Sequence, residues 1–250
     1  MASLLRIEGL SRRFGGLNAL QDVTVSVGAG EVLGLIGPNG AGKTTLVNVV
    51  TGVHRASAGR VLFEDRDITR LKPYQTARIG LARTFQIVQP FPELSVRDNV
   101  AAAALFSGGC NGLRAAHRMA GEQLDFVGLW ATSEQPASSL TLAMRKRLEL
   151  AKALAMRPRL LFLDEVNAGL NSAEIEQAMA LIRRIAAAGV TIVLIEHLMK
   201  VVMAVCSRIV VLQHGALIAD DTPTAIISDQ RVVEAYLGKK YAQATAAGAA

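Results

Sequence analysis

The sequence lacks any long uncharged apolar run. Its longest stretch without Lys, Arg, Asp or Glu extends from Asn99 to Leu113 and is interrupted by a Ser-Gly-Gly-Cys-Asn segment. A membrane span requires about 20 mostly apolar residues. No span is therefore predicted, although the mean hydropathy is positive at +0.32. The first residues also lack the positive region, apolar core and cleavage site of a secretory signal, so none is expected.

Cysteine is scarce, and charge of either sign is modest. Cys110 and Cys206 are far apart and belong to no CxxC pair, so we expect free thiols in a reducing cytosol rather than a disulfide or metal site. Hydrophobic residues make up 51% of the chain and charged residues 19%, a balance that excludes intrinsic disorder. The net charge of +6 permits nucleic acid or an anionic membrane as a partner but requires neither.

Short, nearly continuous apolar runs are the main structural signal. They are rich in branched residues, as is typical of strands buried on both faces of a parallel sheet. The runs are Val32–Ile36, Leu160–Leu163, Thr191–Ile195 and Ile209–Leu212. Helical periodicity between them, as in Ala173–Ala187, predicts an α/β core with a parallel sheet.

Three other regions have a different pattern. Alternating apolar and polar residues predict exposed antiparallel strands at Ser3–Leu10, Gln21–Val27 and Gly59–Phe63. Residues 87–155 become Ala-rich after a Pro-containing turn, with a break at 107–112, and predict a small helical insert in the core. The last ten residues, Tyr241–Ala250, are predicted to be disordered.

The strongest functional signal is a glycine-rich segment directly after the first apolar run. It reads Gly37-Pro38-Asn39-Gly40-Ala41-Gly42-Lys43-Thr44-Thr45 and matches G-x-x-x-x-G-K-[ST]. A helix predicted over Thr44–Val50 follows it. Backbone N–H groups of such a loop surround phosphate oxygens, and the helix N-terminus adds a positive dipole. We expect Lys43 to reach the β- and γ-phosphates and the Thr44 hydroxyl to coordinate Mg²⁺.

A pair of carboxylates follows the second apolar run. Asp164 and Glu165 come directly after Leu160–Leu163, which would deliver them to the edge of the sheet. Asp164 is expected to hold Mg²⁺, directly or through water, and Glu165 to polarise the attacking water. Alone, an apolar strand ending in Asp-Glu is a weak signal, but together with the phosphate loop it predicts nucleotide hydrolysis.

In this order the motifs resemble the ATP-binding subunits of ABC transporters, and the resemblance covers nearly the whole chain. Further strings that carry it are Arg83-Thr84-Phe85-Gln86, Ala168-Gly169-Leu170-Asn171 and Ile195-Glu196-His197. The resemblance implies that Gln86 contacts Mg²⁺ and the attacking water, that His197 contacts the γ-phosphate, and that Phe14 stacks on adenine. It also implies that residues 168–171 communicate between paired ATPase subunits. Taken alone, Gln86 would be a surface amide, His197 a structural histidine and Phe14 a core aromatic.

A closer resemblance within the family is to the branched-chain amino acid importers, and there to the larger of their two different ATPase subunits. The strings are Leu10-Ser11-Arg12-Arg13-Phe14-Gly15-Gly16-Leu17, Arg147-Leu148-Glu149-Leu150-Ala151 and Ala235-Tyr236-Leu237-Gly238. The family fold is a P-loop NTPase (RecA-like) core with an N-terminal antiparallel β subdomain and an inserted α-helical subdomain. On this chain we expect residues 1–86 to hold the antiparallel strands and first core part, 87–158 the helical subdomain, 159–240 the second core part, and 241–250 a tail.

The chain departs from the family at its signature, usually Leu-Ser-Gly-Gly-Gln, which contacts the partner subunit's ATP. The aligned residues are Leu140-Thr141-Leu142-Ala143-Met144. Leu142 and Ala143 add side chains where backbone approaches phosphate closely, whereas Thr141 keeps a hydroxyl. The proline usual after Glu165 is Val166, and Leu198 stands where Asp is common. One hypothesis is that this subunit pairs with a different ATPase, so that one composite site is active and the other slow or silent. The alternative is family drift with function retained.

The resemblance implies a peripheral subunit at the cytoplasmic face of the membrane that uses ATP and Mg²⁺. Its partners would be permease subunits docking at residues 87–106, a second ATPase subunit or a second copy, and indirectly a solute-binding protein. The identity of the solute would reside in those other subunits.

Other classes of function remain as alternatives. A soluble ABC-type ATPase acting on nucleic acid is disfavoured because the chain has no second module, coiled coil or zinc insert, and its basic residues are dispersed apart from Arg145–Arg147; no nucleic acid is expected as a partner. A phosphate-loop kinase or GTPase is disfavoured because no Asn/Thr-Lys-x-Asp motif is present. A regulatory subunit that binds ATP with little turnover remains open, since the signature is altered.

Overall fold

The computed structural model describes residues 3–84, 89–106 and 109–237. The chain forms two compact units, one made of the residues up to Lys72 and from Ile192 onward, and the other of Pro73–Thr191. The first unit is thus built from two separate stretches of sequence. The two units are groups of residues that contact one another more than they contact the rest of the chain. The subdomain boundaries expected from the sequence stay predictions.

The first stretch of the first unit contains an antiparallel sheet and the start of the α/β core. Its elements are β1 (Ser3–Phe14), β2 (Leu17–Gly28), β3 (Val32–Ile36), α1 (Lys43–Val50), β4 (Ala58–Phe63) and β5 (Arg66–Asp67). The antiparallel strands have the order β2-β1-β4-β5. Leu5, Ile7 and Leu10 of β1 are buried, as the alternation predicted. The strand continues to Phe14, beyond the predicted end, because a register shift around Gly9 (φ 57°) resets the alternation.

The second unit contains the helical insert and a parallel strand pair. Its elements are α2 (Pro73–Arg78), β6 (Leu81–Arg83), α3 (Val96–Phe106), α4 (Leu113–Val127), α5 (Leu142–Ala155), β7 (Leu160–Asp164) and α6 (Ser172–Ala187). Strands β6 and β7 pair in parallel, with Leu81 opposite Leu160. Helices α3, α4 and α5 pack on one another. These helices carry the fully buried alanines Ala104, Ala116 and Ala120, whose small side chains permit close packing. The described part of residues 87–155 thus contains three α-helices, as its composition predicted, and the bounds of a separate helical subdomain stay a prediction.

The chain then returns to complete the first unit. The elements of this stretch are β8 (Thr191–Ile195), α7 (Met199–Val205), β9 (Arg208–Gln213), β10 (Ala216–Asp221), α8 (Pro223–Ser228) and α9 (Gln230–Leu237). Strand β3 lies between β8 and β9 and is parallel to both, and β10 pairs antiparallel with β9. The four apolar runs predicted to be buried strands are therefore confirmed. Strand β10 was not predicted from the sequence.

These elements make the chain an α/β protein with an N-terminal antiparallel sheet, parallel core strands and inserted helices, as predicted. Cys206 is buried and Cys110 is partly exposed, and neither is in a disulfide. Within the three described stretches, we find no helix with the length and apolar character that a bilayer span requires. The predicted disordered tail, Tyr241–Ala250, lies outside the described residues.

Candidate functional site

The phosphate loop lies in the first unit, between β3 and α1. Two of its glycines have a positive φ and no room for a side chain. Gly37 has a φ of 150°, and a Cβ there would lie 2.1 Å from the carbonyl oxygen of Leu212. Gly42, the N-cap of α1, has a φ of 106°, and a Cβ there would lie 2.7 Å from the carbonyl oxygen of Ala19. The path of the loop therefore requires glycine at both positions.

Lys43 folds back over the loop that it follows. Its ammonium Nζ donates hydrogen bonds to the carbonyl oxygens of Gly37, at 2.6 Å, and Pro38, at 3.0 Å. The side chain is buried, whereas the next residue, Thr44, is exposed in the first turn of α1. A lysine held at the mouth of a glycine loop, with a helix N-terminus behind it, is an arrangement that binds phosphate oxygens. The strand and the helix predicted on either side of this loop are thus present, and phosphate binding by residues 37–45 stays a prediction.

The turn between β9 and β10 supports this loop from one side. The N–H of Gly215 donates to the carbonyl oxygen of Ala41 at 2.9 Å, and the N–H of Gln21 donates to the carbonyl oxygen of Gly215 at 2.8 Å. The Gln21 side chain also donates to the His214 carbonyl at 2.8 Å. Strand β2 and the turn are thereby tied to the middle of the loop. Sequence reasoning missed this support because the turn is more than 150 residues away along the chain.

The last helix, α9, also contacts the loop. The phenolic group of Tyr236 lies close to the backbone N–H of Gly37. Burial raises the pKa of Tyr236, and the nearby Gly37 N–H opposes part of that rise. Tyr236 belongs to one of the sequence strings that carried the family resemblance, but its contact with the first residue of the loop was not predicted.

His197 lies at the same sheet edge as the phosphate loop. Strands β3 and β8 are parallel neighbours with Leu35 opposite Ile195, so Gly37 and His197 both follow the carboxyl ends of adjacent strands. His197 is exposed, and the preceding Glu196 is buried. Leu198 is the N-cap of α7 and makes no side-chain capping hydrogen bond, which an Asp at this position could supply. The structure thus places His197 on the side of the unit that carries the loop.

Phe14 ends β1 and is 38% exposed, so it is not a core aromatic. The guanidinium of Arg12 lies 4.2 Å from the centre of the ring, and the His54 ring meets Phe14 edge-on with centroids 5.2 Å apart. The guanidinium covers one face of the ring. Stacking of adenine on Phe14 stays a prediction.

In the second unit, Asp164 is the last residue of β7 and is buried. Its carboxylate Oδ2 lies 3.5 Å from a guanidinium nitrogen of Arg83, and its N–H donates to the Thr84 hydroxyl at 3.2 Å. Burial lowers the pKa of Arg83, and the Asp164 charge opposes that effect. Arg83 and Thr84 come from the end of the neighbouring strand β6. Arg83 contacts the carboxylate of Asp164, and Thr84 holds its backbone. They lie within the Arg-Thr-Phe-Gln string, but only Gln86 had been assigned a role there.

Glu165 follows with a left-handed backbone, φ 49°, which is rare for a residue other than glycine. Such a conformation costs about 1–3 kcal/mol and persists only where neighbouring groups hold it. Its carbonyl oxygen accepts hydrogen bonds from the Ala168 N–H, at 3.2 Å, and from Lys146 Nζ, at 3.0 Å. Glu165 is thus the first residue of a hydrogen-bonded turn. Lys146 was not predicted from the sequence to have a role.

Residues 168–171 connect this turn to α6. Asn171 is the N-cap of α6, and it forms a reciprocal capping box with Glu174. Gly169 has a φ of 77°, and a Cβ there would lie 3.0 Å from a methyl group of Leu142. The loop is therefore in contact with the first turn of α5, where the signature segment lies. A role in communication between subunits stays a prediction.

The signature segment Leu140–Met144 covers the residue before the N-cap of α5, the N-cap itself and the first three residues of the helix. Thr141 is the N-cap, and its hydroxyl accepts a hydrogen bond from the Met144 N–H at 3.3 Å. Leu140 is buried, and Leu142 is 48% exposed. The Arg145 guanidinium donates to the carbonyl oxygens of Leu140 and Ser138, both at 2.9 Å. The N-terminus of this helix thus presents a branched apolar side chain where the usual family signature has glycine.

Gln86 lies outside the described residues, as do residues 87 and 88 of the segment predicted to dock on a permease. The described part of that segment exposes apolar side chains. They are Phe91, Leu94, Leu105 and Phe106. Asn99 is buried beneath it, accepting from the Phe91 N–H at 2.8 Å and donating to the carbonyl oxygens of Phe91 and Ser95, each at 3.0 Å. Asn99 thereby fixes the turn that enters α3, a role that no local sequence signal indicated.

Comparison with known proteins shows the family of the chain. Residues 20–168 match the family model described as ABC transporter, and residues 216–242 match one described as branched-chain amino acid ATP-binding cassette transporter. Among curated proteins, the chain is 37% identical to the high-affinity branched-chain amino acid transport ATP-binding protein BraF of Pseudomonas aeruginosa. It is 38% identical to the corresponding protein LivG of Escherichia coli. Each alignment covers 94% of this chain and 98% of the relative.

Solved structures give the same result. A nucleotide-free ATP-binding cassette from an ABC transporter superposes with a TM-score of 0.85 at 31% identity, covering 95% of this chain and 100% of the other. The ADP conformation of the ATP-binding cassette MJ1267 gives the same TM-score and identity, with 96% and 100% coverage. The chain therefore belongs to the ABC transporter family, as an ATP-binding cassette of the group that includes BraF and LivG.

Proposed function

We propose that this chain is an ATP-hydrolysing subunit that powers import of branched-chain or related amino acids from the cytoplasmic face of a membrane. The observation that carries the proposal is similarity along almost the whole chain to BraF and LivG, whose names describe branched-chain amino acid transport. The match of residues 216–242 to a branched-chain transporter model supports it independently.

In the proposed mechanism, ATP binds at the phosphate loop of the first unit. The backbone N–H groups of residues 37–45 surround the phosphates, and Lys43 exchanges its hydrogen bonds to Gly37 and Pro38 for phosphate oxygens. This exchange keeps the ammonium hydrogen-bonded in both states. His197, at the same sheet edge, contacts the γ-phosphate, and Phe14 stacks on adenine.

A magnesium ion is implied by the family, and the donor chemistry fits it. Thr44 has an exposed side chain with a hydroxyl, and by residue type Asp164 and Gln86 would also offer oxygens, the atom type that Mg²⁺ prefers. Over the described residues no cluster of three or more His, Cys, Asp or Glu side chains forms a separate metal cage. Mg²⁺ in nucleotide sites is held by one or two protein oxygens together with substrate phosphates, so no such cage is needed. When bound, the ion would neutralise charge on the phosphates.

Glu165 is the proposed general base. Its carboxylate would accept a proton from the attacking water, and Gln86 would help to orient that water. Loss of the γ-phosphate would remove contacts across a pair of ATPase subunits, and the pair would open. ATP-driven closure and this opening would drive the permease. Residues 168–171 would connect the two subunits.

The altered signature gives this subunit an unequal role. In the usual family arrangement the signature contacts the partner's γ-phosphate through closely approaching backbone. Here Leu142 places an exposed branched side chain in that first turn. The Thr141 hydroxyl accepts a hydrogen bond from the Met144 N–H and retains its own O–H as a donor, so the change at position 142 is the one that carries the argument. We therefore propose a partnership with a second, different ATPase subunit, in which this chain's phosphate loop is active and the opposite composite site is slow or silent.

The proposed permease contact is the segment 87–106, whose described part exposes two phenylalanines and two leucines. Apolar side chains rimmed by polar ones are typical of protein–protein contact surfaces. A solute-binding protein would act indirectly through the permease. No nucleic acid is expected as a partner, and a steep salt-dependent DNA shift would contradict that expectation.

The test is to purify the chain from its native membrane with whatever chains accompany it and to measure ATP hydrolysis. We expect a permease and a second ATPase subunit in the complex. Glu165→Gln should lower the rate by about 10²–10⁴-fold, because a general base is lost, while ATP binding is retained. Glu122→Gln, on the exposed face of α4, is the matched control and should leave the rate unchanged.

Two results would contradict parts of the proposal. Robust, cooperative ATP hydrolysis by the purified chain alone would exclude the unequal pair. A wild-type complex that binds ATP without hydrolysing it would instead favour a regulatory subunit, the second candidate that the signature geometry supports.

A further inference from the structure

Lys146 is a buried lysine whose position is not explained by packing alone. It lies on α5, two residues after the signature segment, and is only 9% exposed. Its ammonium donates to the carbonyl oxygen of Glu165 at 3.0 Å. A lysine is rarely buried unless its charge is used. The contact joins the signature helix to the residue proposed as general base.

The Glu165 backbone is held at both ends. On its N-terminal side, the Asp164 N–H is fixed by the Thr84 hydroxyl at 3.2 Å. On its C-terminal side, the Glu165 carbonyl oxygen accepts from both Lys146 and the Ala168 N–H. A left-handed backbone at a non-glycine residue persists only where its surroundings determine it. The Lys146 hydrogen bond orients the Glu165–Val166 peptide and hence the direction in which the Glu165 side chain leaves the backbone.

We propose that Lys146 is a positioning residue for ATP hydrolysis, which holds the Glu165 backbone in the conformation that directs its carboxylate toward the attacking water. The inference rests on the role proposed above for Glu165. It also gives α5 a second function. The helix meets the same loop again where Leu142 packs on Gly169, so a displacement of α5 would alter the Glu165 turn at two points.

The test compares variants in the purified complex. Lys146→Met keeps the aliphatic stem and removes the donor, and we expect kcat to fall by about 10–100-fold, the effect of a slightly misplaced catalytic group. KM for ATP should change by less than about twofold, because the group acts after binding. Lys146→Arg keeps a charged donor and should stay within about threefold of the wild-type kcat. Lys152→Met, on the same helix and paired with Glu149, is the control and should match wild type.

Hydrogen exchange of the amides of residues 165–171 provides a readout besides activity. We expect faster exchange in Lys146→Met, and wild-type exchange in Lys146→Arg and Lys152→Met. If Lys146→Met does not fold, the Arg variant still decides the question. A loss of kcat in Lys146→Arg of more than about tenfold, with unchanged exchange in this segment, would overturn the proposal.

A double variant separates failure of this inference from failure of the proposed function. If Lys146 acts through Glu165, adding Lys146→Met to Glu165→Gln should lower the remaining rate little further. Full kcat in Lys146→Met with a rate collapse in Glu165→Gln would refute the role of Lys146 alone. Normal hydrolysis in Glu165→Gln would refute the role of Glu165, and with it the premise of this inference.

Discussion

The hydrogen bonds made by Lys43 allow the effect of its removal to be worked out in two steps. Lys43→Met keeps the buried stem but removes the donor to the carbonyl oxygens of Gly37 and Pro38. Hydrogen bonds from a charged donor contribute about 1.5–3 kcal/mol each. Relief of the cost of burying an ammonium offsets part of this loss. We therefore expect a net loss of about 2 kcal/mol in the absence of nucleotide, or about 4–8 °C in Tm for a chain of this size.

The second step is the loss of stabilisation by ATP. A ligand that binds only the folded state stabilises it by about 2.7 kcal/mol at 100 times its Kd. Wild type should gain this amount with MgATP. In Lys43→Met the phosphates lose their main cationic contact, so the gain at the same concentration should be near zero. The difference between the two proteins should thus grow from about 2 to about 5 kcal/mol on adding nucleotide.

The assay is unfolding with and without MgATP, followed by far-UV circular dichroism. The fluorescence of Trp130, the one tryptophan in the sequence, is not sufficient because it lies in the second unit whereas Lys43 lies in the first. Lys72→Met, at an exposed lysine in the same unit, controls for removal of a lysine from elsewhere in the chain. The reasoning would be refuted if Lys43→Met gained as much stability from MgATP as wild type does.

Two other predictions concern the second unit and the thiols. Asn99→Ala should destabilise the second unit by about 2–4 kcal/mol, because the Phe91 N–H and carbonyl lose their hydrogen-bond partner. Urea unfolding followed by Trp130 fluorescence measures this loss, and an unchanged urea midpoint would contradict the prediction. Burial, with a smaller contribution from Glu196, raises the pKa of Cys206 to about 12. Iodoacetamide at pH 8 should therefore alkylate Cys110 and spare Cys206 until the chain unfolds, as read by peptide mass mapping. Because the unfolded thiol ionises first, stability should also fall as the pH rises from about 9 to about 12.

The parts of the fold that the sequence predicted are those with a local signature. Continuous branched apolar runs located β3, β7, β8 and β9, since strands buried on both faces need no polar positions. The bounds of the phosphate loop could be predicted because its path leaves no room for a side chain at Gly37 and Gly42, so the glycine spacing is visible in the sequence. Strand β10 was missed because its apolar run, Ala216–Ala219, is half alanine, which has a low strand propensity, and leads directly into Asp220 and Asp221. The hairpin depends on the His214–Gly215 turn, where both residues have positive φ.

The supporting residues could not be found in the same way, because each acts through a contact distant in sequence. Lys146 meets Glu165 nineteen positions away, and Arg83 meets Asp164 eighty-one positions away. Tyr236 meets Gly37 across almost the entire first unit. Local patterns report which residue types a strand or turn needs, but not which distant side chain completes a hydrogen bond. From the sequence alone, Lys146 is only one of three basic residues at the start of a helix, and nothing indicates that it is buried.

The contrast between the predicted phosphate loop and the signature segment, the two places that would contact nucleotide, supports an unequal role for the subunit. Glycine is present at positions 37 and 42, where a Cβ would collide with backbone oxygens, so the path of the predicted phosphate loop needs glycine at both. At the signature, glycine has been replaced, and the Leu142 side chain is both exposed and packed on Gly169. Glycine at position 142 would remove the exposed side chain from the signature, but it would also remove the packing of that side chain on Gly169. If the unequal-role proposal is correct, Leu142→Gly should therefore alter the Glu165–Asn171 loop before it restores contact with a partner's ATP, and hydrogen exchange in that loop should rise without a gain in hydrolysis.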